Sequence, residues 1–137
     1  MKNAKALLFV FALTLAAAPC LRAAERMVSG NWTFEMETTG QDPRTFTRCI
    51  TAEEAQSVNG DAAAARAYAE KSAGTPCDVK DFKIDGSTVS YVLVCGETTV
   101  SSKATYHGDS FEGVLTTKSG ANEATTHLKA HRAGACP

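Results

Sequence analysis

The architecture of this chain is set by residues 77–133, which read CDVKDFKIDGSTVSYVLVCGETTVSSKATYHGDSFEGVLTTKSGANEATTHLKAHRA. Apolar and polar residues alternate along this stretch, and many are β-branched, as is typical of half-buried strands. Short clusters of Gly, Asp and Asn interrupt the alternation and favour tight turns. We therefore predict an up-and-down meander of five strands at 77–84, 87–95, 97–106, 110–117 and 123–133.

Two further strands are predicted ahead of this meander. In residues 28–38, Trp32, Phe34 and their alternate neighbours lie on one face and polar residues on the other, a period of two. After a turn at 40–43, residues 45–50 predict a second strand in hairpin with the first. The sequence thus predicts a mainly β fold with seven antiparallel strands.

The segment between these two groups of strands, 51–75, has helical signals. Thr51 and Glu54 have the spacing of a capping box, which marks a helix start. Gly60 ends that helix, and Asp61 can cap a second, alanine-rich one that ends near Gly74. The segment is long enough to be a helical crossover between parallel strands.

The first 24 residues have the three-part pattern of a secretory signal peptide. Lys2 and Lys5 precede an apolar run at 6–18, and small residues follow. The run is shorter than the roughly 20 residues that span a bilayer. We therefore predict cleavage of residues 1–24, leaving a single β-rich domain at 25–137 that does not span a membrane.

Composition and charge exclude several classes of protein. With 44% hydrophobic and 21% charged residues, the chain is expected to be globular rather than disordered. Loss of Lys2, Lys5 and Arg22 with the leader changes the net charge from −1 to about −4. A generic nucleic-acid-binding surface is therefore not expected.

The cysteines indicate two disulfides. Cys20 leaves with the leader, and its lipidation is disfavoured because Pro19 stands where a small residue is needed. An even number of cysteines in an exported chain favours disulfides over a metal site. Three pairings are possible among the remaining four, which are Cys49, Cys77, Cys95 and Cys136.

Strand register selects one of these pairings. If the loop after Ile84 has three residues, Ile84 faces Thr88, and Cys77 lies directly opposite Cys95. A two-residue loop would shift the pairing by one position, and a bulge near Lys80-Asp81 would restore it. The predicted pairs are therefore Cys77–Cys95 and Cys49–Cys136.

The long disulfide also constrains the topology, because Cys49 ends strand two and Cys136 follows strand seven. Those two ends meet only if strand three runs parallel to strand two, with 51–75 as the crossover. Strand seven then lies antiparallel to strand one, and the sheet curves into a small barrel or a sandwich. In that arrangement Arg132 is predicted to stack on Trp32 in a cation–π contact.

Several short motifs are distributed over the whole mature chain. They are Gly30-x-Trp32, Cys49, CxVxDF from Cys77, Cys95, Tyr106-x-Gly108-Asp109-Ser110 and Arg132-x-Gly134-x-Cys136-Pro137. Together they resemble the bacterial exported family called domain of unknown function 3617. The resemblance implies a periplasmic or secreted location and supplies no catalytic residue. Gly30-x-Trp32 with a late arginine is also similar to the signature of lipocalin-type barrels.

No pattern of catalytic or metal-binding residues is found. His127 and His131 share one face of a strand but lie roughly 13 Å apart, too far to chelate one ion. Glu35 and Glu37 alternate on the polar face of strand one, where carboxylates are normally solvated. No Gly-x-Ser-x-Gly motif occurs. We therefore expect no catalytic residue, no metal and no cofactor.

Two functional hypotheses follow. In the first, the chain is a non-enzymatic periplasmic or secreted domain that binds a small apolar ligand or an envelope component. In the second, it is a protein–protein interaction module such as an inhibitor of a secreted hydrolase. An apolar cavity of a few hundred cubic ångströms favours the first, and a filled core with a protruding loop favours the second. Five aromatic residues are the candidate pocket or core lining: Trp32, Phe34, Tyr91, Tyr106 and Phe111.

Overall fold

The structure, a computed structural model, describes residues 25–74 and 76–137, so the predicted signal peptide lies outside the described residues. The elements are β1 (Gly30–Thr38), β2 (Arg44–Ile50), α1 (Ala52–Asn59), α2 (Ala62–Ala73), β3 (Asp78–Asp85), β4 (Thr88–Cys95), β5 (Thr98–Tyr106), β6 (Ser110–Ser119) and β7 (Asn122–Gly134). The seven strands form one antiparallel sheet in the order β2-β1-β7-β6-β5-β4-β3. The mainly β prediction with seven strands and a helical crossover is confirmed.

Both helices begin at the predicted caps. The Thr51 hydroxyl accepts a hydrogen bond from the Glu54 N–H at 3.2 Å, and a Glu54 carboxylate oxygen accepts one from the Thr51 N–H at 2.9 Å. Gly60 ends α1, and the Asp61 carboxylate accepts a bond from the Ala64 N–H at 2.9 Å to start α2. These local bonds satisfy backbone donors that a helix start leaves without partners.

The β3–β4 hairpin has a two-residue loop, so Asp85 pairs with Thr88. The three-residue loop, with Ile84 facing Thr88, is therefore wrong. The predicted bulge is present: Asp81 has a φ of +52°, and the register shifts between Lys80 and Lys83. The extra residue shifts the register by one position, so that Asp78 pairs with Val94 and Cys77 lies opposite Cys95 at the far end of the hairpin. The disulfide there is Cys77–Cys95, with a Cα–Cα distance of 4.3 Å.

The second disulfide, Cys49–Cys136, joins the ends of β2 and β7 with a Cα–Cα distance of 5.4 Å. It is the pair that the sequence leaves once Cys77 and Cys95 are assigned. Because every neighbouring pair of strands is antiparallel, β3 runs in the same direction as β2, as predicted. The two helices therefore connect strands at opposite edges of the sheet.

The seven strands form one open sheet, so the predicted closure into a barrel is wrong. The expected pairing of β1 with β7 is present, from Thr38 with Thr126 to Asn31 with Gly134. However, β1 also pairs with β2, so closure would need β2 to pair with β3, and these strands are the two edges. The crossover helices cover part of the apolar face instead.

The core lies between the helices and one face of the sheet, called the inner face below. Trp32 is fully buried there, and its indole N–H donates a hydrogen bond to the Val28 carbonyl at 2.9 Å. Phe111 packs beside it, with ring centroids 5.9 Å apart. Ala55 and Val58 of α1 join the same buried cluster. Burial of this apolar surface fixes α1 on the β1 side of the inner face.

The segment before β1 anchors the end of α1. The Asn59 side chain accepts a hydrogen bond from the Met27 N–H at 2.9 Å and donates one to the Met27 carbonyl at 2.7 Å. Arg26 donates to the carbonyls of Val58 and Gly60, which lie at the negative end of the helix dipole. Neither helix in the described residues has the length and apolarity that a membrane-crossing helix needs.

Candidate functional site

An apolar cleft of about 290 Å³ opens between the helices and the inner face of the sheet. Its volume is close to the lower end of small-molecule sites, at about 300 Å³. Arg48 is the one charged residue of the lining among the described residues. The lining consists of Met27, Phe34, Met36, Phe46, Arg48, Ile50, Val58, Tyr68, Tyr106, Phe111 and Leu128.

The cleft exists because α1 is too short to cover β1. An eight-residue helix is about 12 Å long, whereas a nine-residue strand extends about 30 Å. Trp32 therefore lies in the core while Met36, on the same face, borders the cleft. On the edge strand β2, Phe46 stacks on Phe34 with centroids 4.9 Å apart and remains 44% exposed. The apolar face is thus open to solvent on this side.

Arg48, Glu54 and Tyr68 form the polar mouth of the cleft. The Arg48 Nη2 donates to Glu54 Oε1 at 3.0 Å and to the Tyr68 hydroxyl at 3.4 Å. The other Glu54 oxygen already accepts the Thr51 N–H of the capping box. Among the described residues, Arg48 Nε and Nη1 have no acceptor. A residue that lines the cleft therefore has hydrogen-bond donors to spare.

Tyr106 forms the floor, beside Phe111 at a centroid distance of 5.1 Å. Burial, and then the nearby Tyr91 and Tyr68, raise the pKa of Tyr106 to about 12. In the described part of the chain its hydroxyl has no hydrogen-bond partner, yet no buried side-chain oxygen there is unsatisfied. The hydroxyl therefore reaches the accessible surface, where it is a neutral donor.

A small side chamber of about 70 Å³ adjoins the cleft on the far side of Tyr68 and Tyr106. The two cavities share three lining residues, Val58, Tyr68 and Tyr106. The rest of the chamber wall comes from α2 and the β3–β4 hairpin, and consists of Ala65, Ala69, Ser72, Phe82, Val89 and Tyr91.

A larger depression of about 670 Å³ lies between α1 and α2. Most of its lining residues are polar or charged, including Glu53, Lys71 and Ser72. Ligand sites are usually concave and largely apolar, with a few placed polar groups. The apolar cleft has that character, and the larger depression does not.

A family model described as "Protein of unknown function (DUF3617)" matches residues 27–136. The chain belongs to the DUF3617 family. The resemblance carried by its cysteine, glycine and tryptophan motifs is thereby confirmed. Similarity to lipocalin-type barrels finds no support, and the sheet of this DUF3617 protein is open. No curated protein and no solved structure matches the chain.

The five predicted aromatic residues of this DUF3617 protein are divided among the cleft, the chamber and the core. Phe34, Tyr106 and Phe111 line the cleft, and Tyr91 lines the side chamber. Trp32 is in the core and lines neither cavity. Phe34 and Phe111 are themselves largely buried, so they also belong to the core.

Trp32 and Arg132 are direct register partners on β1 and β7. The Arg132 Nε donates to the Ser29 carbonyl at 2.8 Å, and the guanidinium packs against Gly30. A side chain at Gly30 would collide with Arg132, which explains a glycine at this position. The cation–π stack of Arg132 on the indole stays a prediction.

The polar residues considered for chemistry lie on the opposite, outer face. Glu35 pairs with Lys129, and Glu37 pairs with His127. All four are exposed, and so is His131. No group of three or more metal-ligating side chains occurs in the described residues.

Sequence reasoning did not find the residues that complete the cleft. Phe46, Arg48 and Tyr68 come from an edge strand and from the second helix. One signal was present: Phe46 and Arg48 alternate with Ile50, so the three share a face of β2. Another was that Tyr68 is the only bulky apolar residue of α2.

Proposed function

We propose that this protein is a non-enzymatic binding domain of the bacterial envelope that holds a small apolar or amphipathic ligand in the cleft. The observation that carries the proposal is the apolar lining of a space of about 290 Å³ that the chain's own side chains leave open. Interiors are normally close-packed, and an open apolar face is unfavourable in water. A ligand in the cleft would remove this surface from water.

A binding role is favoured over a catalytic one by the state of the polar groups. Glu54 is engaged by Arg48 and by the capping box, so both of its oxygens already accept hydrogen bonds. Tyr106 is protonated at neutral pH, as tyrosines ordinarily are, and burial raises its pKa further, to about 12. Glu54 does not line the cleft, and Tyr106 is a neutral donor there, so neither places a proton acceptor against a ligand.

An exported location is part of the proposal. Two disulfides join all four cysteines of the described residues. Disulfides form and persist in the periplasm and outside the cell, and are rare in the cytosol. The predicted leader at 1–24 accounts for the export.

A protein–protein interaction module is the second candidate, and the edge strand β2 favours it. Residues Arg44–Arg48 are exposed, including Phe46, and within the described residues one side of the strand has no neighbouring strand. Exposed edges accept an added strand from a partner. In this alternative the cleft would receive partner side chains rather than a small molecule.

A hydrophobic dye tests the proposal. N-phenyl-1-naphthylamine should bind the oxidised mature protein with micromolar affinity, and Met36→Trp, which fills the cleft, should abolish binding. Val114→Trp is the matched control, because Val114 is an exposed apolar residue outside the cleft. Equal binding by both variants would contradict the proposal. As a second test, native mass spectrometry of protein purified from the periplasm should show a retained small molecule.

A further inference from the structure

We infer that the ligand is an unbranched acyl chain with an acceptor head group, of the fatty-acid carboxylate type. This inference rests on the proposed function and specifies it. The head would bind at the mouth formed by Arg48 and Tyr68, and the chain would run along the cleft toward the side chamber. Two independent features carry it: the spare donors of Arg48 and Tyr68, and a narrow apolar chamber that shares three lining residues with the cleft.

The polar groups at the mouth suit a ligand head group that accepts hydrogen bonds better than a cationic one. Arg48 uses Nη2 for Glu54 and Tyr68, which leaves Nε and Nη1 for a ligand. Tyr68 accepts from Arg48, so its own hydroxyl hydrogen is available to donate. Glu54, the carboxylate nearest to the mouth, does not line the cleft, and its oxygens already accept hydrogen bonds from Arg48 and the Thr51 N–H. A carboxylate or phosphate is what these donors fit best.

Glu54 also explains why this arginine is suited to the task. The salt bridge at 3.0 Å and the contact with Tyr68 hold the guanidinium at the mouth of the cleft. A donor that is already positioned loses less side-chain entropy when it binds a ligand. Arg44, two residues before Phe46 on the same strand, does not line the cleft. It therefore serves as an internal control.

The two cavities suit a chain better than a ring system. The side chamber, at about 70 Å³, has the volume of about two liquid water molecules. Such a space admits the end of an alkyl chain and excludes a fused ring. Val58, Tyr68 and Tyr106 line both cavities, so the side chamber lies directly behind these side chains as seen from the cleft.

The head group is tested by displacement of N-phenyl-1-naphthylamine with dodecanoate, dodecanol and dodecyltrimethylammonium below their micellar concentrations. Dodecanoate should displace the dye at the lowest concentration. Arg48→Met should weaken dodecanoate by about 10- to 100-fold, as for loss of a hydrogen bond to a charged group, and Arg44→Met should not. Tyr68→Phe should weaken dodecanoate binding less, and dodecanol, which has an acceptor but no charge, should lose less affinity than dodecanoate in Arg48→Met.

Equal displacement by the three amphiphiles, or equal effects of the two arginine variants, would overturn the inference while dye binding still supported the proposed function. If the dye itself did not bind, this result would contradict the proposed function. The two failures are therefore distinguishable in one titration series.

The path of the chain is tested by filling the side chamber. Ala69 is buried and lines it, whereas Ala67 on the same helix is exposed and does not. Ala69→Leu should weaken the binding of hexadecanoate by about tenfold, because fewer methylenes of its chain are buried. The affinity for octanoate should change by less than about twofold. Ala67→Leu should change neither.

Equal weakening of both chain lengths by Ala69→Leu would refute the chain path. If circular dichroism shows that this variant is unfolded, Val89→Ala decides instead, because it enlarges the chamber. It should then improve hexadecanoate relative to octanoate, and an unchanged ratio would refute the path.

Discussion

Asn59 should be among the most important polar side chains for stability, because it satisfies two backbone groups of a buried residue. Its amide bonds the N–H and the carbonyl of Met27, which is only 5% exposed. Each buried backbone group left without a partner costs about 1–3 kcal/mol. The site is only partly buried, so water can take the place of the Asn59 amide and reduce this cost. Asn59→Ala should therefore lower the free energy of unfolding by about 2–4 kcal/mol.

The assay is urea denaturation of the mature protein with both disulfides oxidised, followed by far-UV circular dichroism. Ser57→Ala, on the same helix, is the control: its hydroxyl donates only to the Glu53 carbonyl of its own helix, and the loss should be within about 0.5 kcal/mol. Asn59→Leu, which keeps the volume without the polar groups, should be as destabilising as Asn59→Ala.

The result that would refute this reasoning is an Asn59→Ala variant as stable as Ser57→Ala. The two Asn59 bonds to Met27 would then contribute little to holding the segment at 25–28 on the end of α1. Because Met27 lines the cleft, Asn59→Ala should also weaken dye binding, whereas Ser57→Ala should leave it unchanged.

Three further predictions concern other parts of the molecule. Replacing both Cys49 and Cys136 by Ala should lower the free energy of unfolding by about 4–5 kcal/mol. This loss should exceed that caused by replacing Cys77 and Cys95, because the Cys49–Cys136 disulfide closes a loop of 87 residues and the Cys77–Cys95 disulfide one of 18; urea denaturation of the two double variants compares the losses. The pKa of Tyr106 is raised from 10.0 to about 12, so the unfolded chain ionises at this position at a lower pH than the folded protein does, and the free energy of unfolding should fall as the pH rises from 10 to 12. In urea denaturation across this pH range, the fall should be smaller by roughly 2–3 kcal/mol in Tyr106→Phe than in the wild type. A double-mutant cycle of Trp32→Ala and Arg132→Ala should give a coupling free energy of about 0.5–2 kcal/mol if the two side chains stack, and a value of zero would rule the stack out.

The cysteine pairs show how far periodicity and local signals reach. Facing positions in a hairpin depend on loop length and on bulges, and both can be read from short stretches of sequence. The sequence left two loop lengths open for the β3–β4 hairpin. The structure has the shorter loop with the bulge at Asp81, and the same disulfide results.

Closure of the sheet could not be predicted, because it depends on a competition between distant surfaces. Pairing of β1 with β7 follows from the long disulfide and the crossover. Whether β2 then pairs with β3 depends on how much of the inner face the helices bury. That balance is a property of packed helices and strands, and no local pattern contains it.

Local sequence alone determined the seven strands, the two capped helices and the disulfide pairs, because hydrophobic alternation, capping and hairpin register act between residues close along the chain or directly paired. Only the tertiary structure decided the open sheet and the cleft. Phe46, Arg48 and Tyr68 meet there because a short helix leaves part of a longer strand uncovered. That mismatch arises only once α1 is fixed at one end of β1 by the packing of Val58 in the Trp32 cluster and by the Asn59 bonds to Met27.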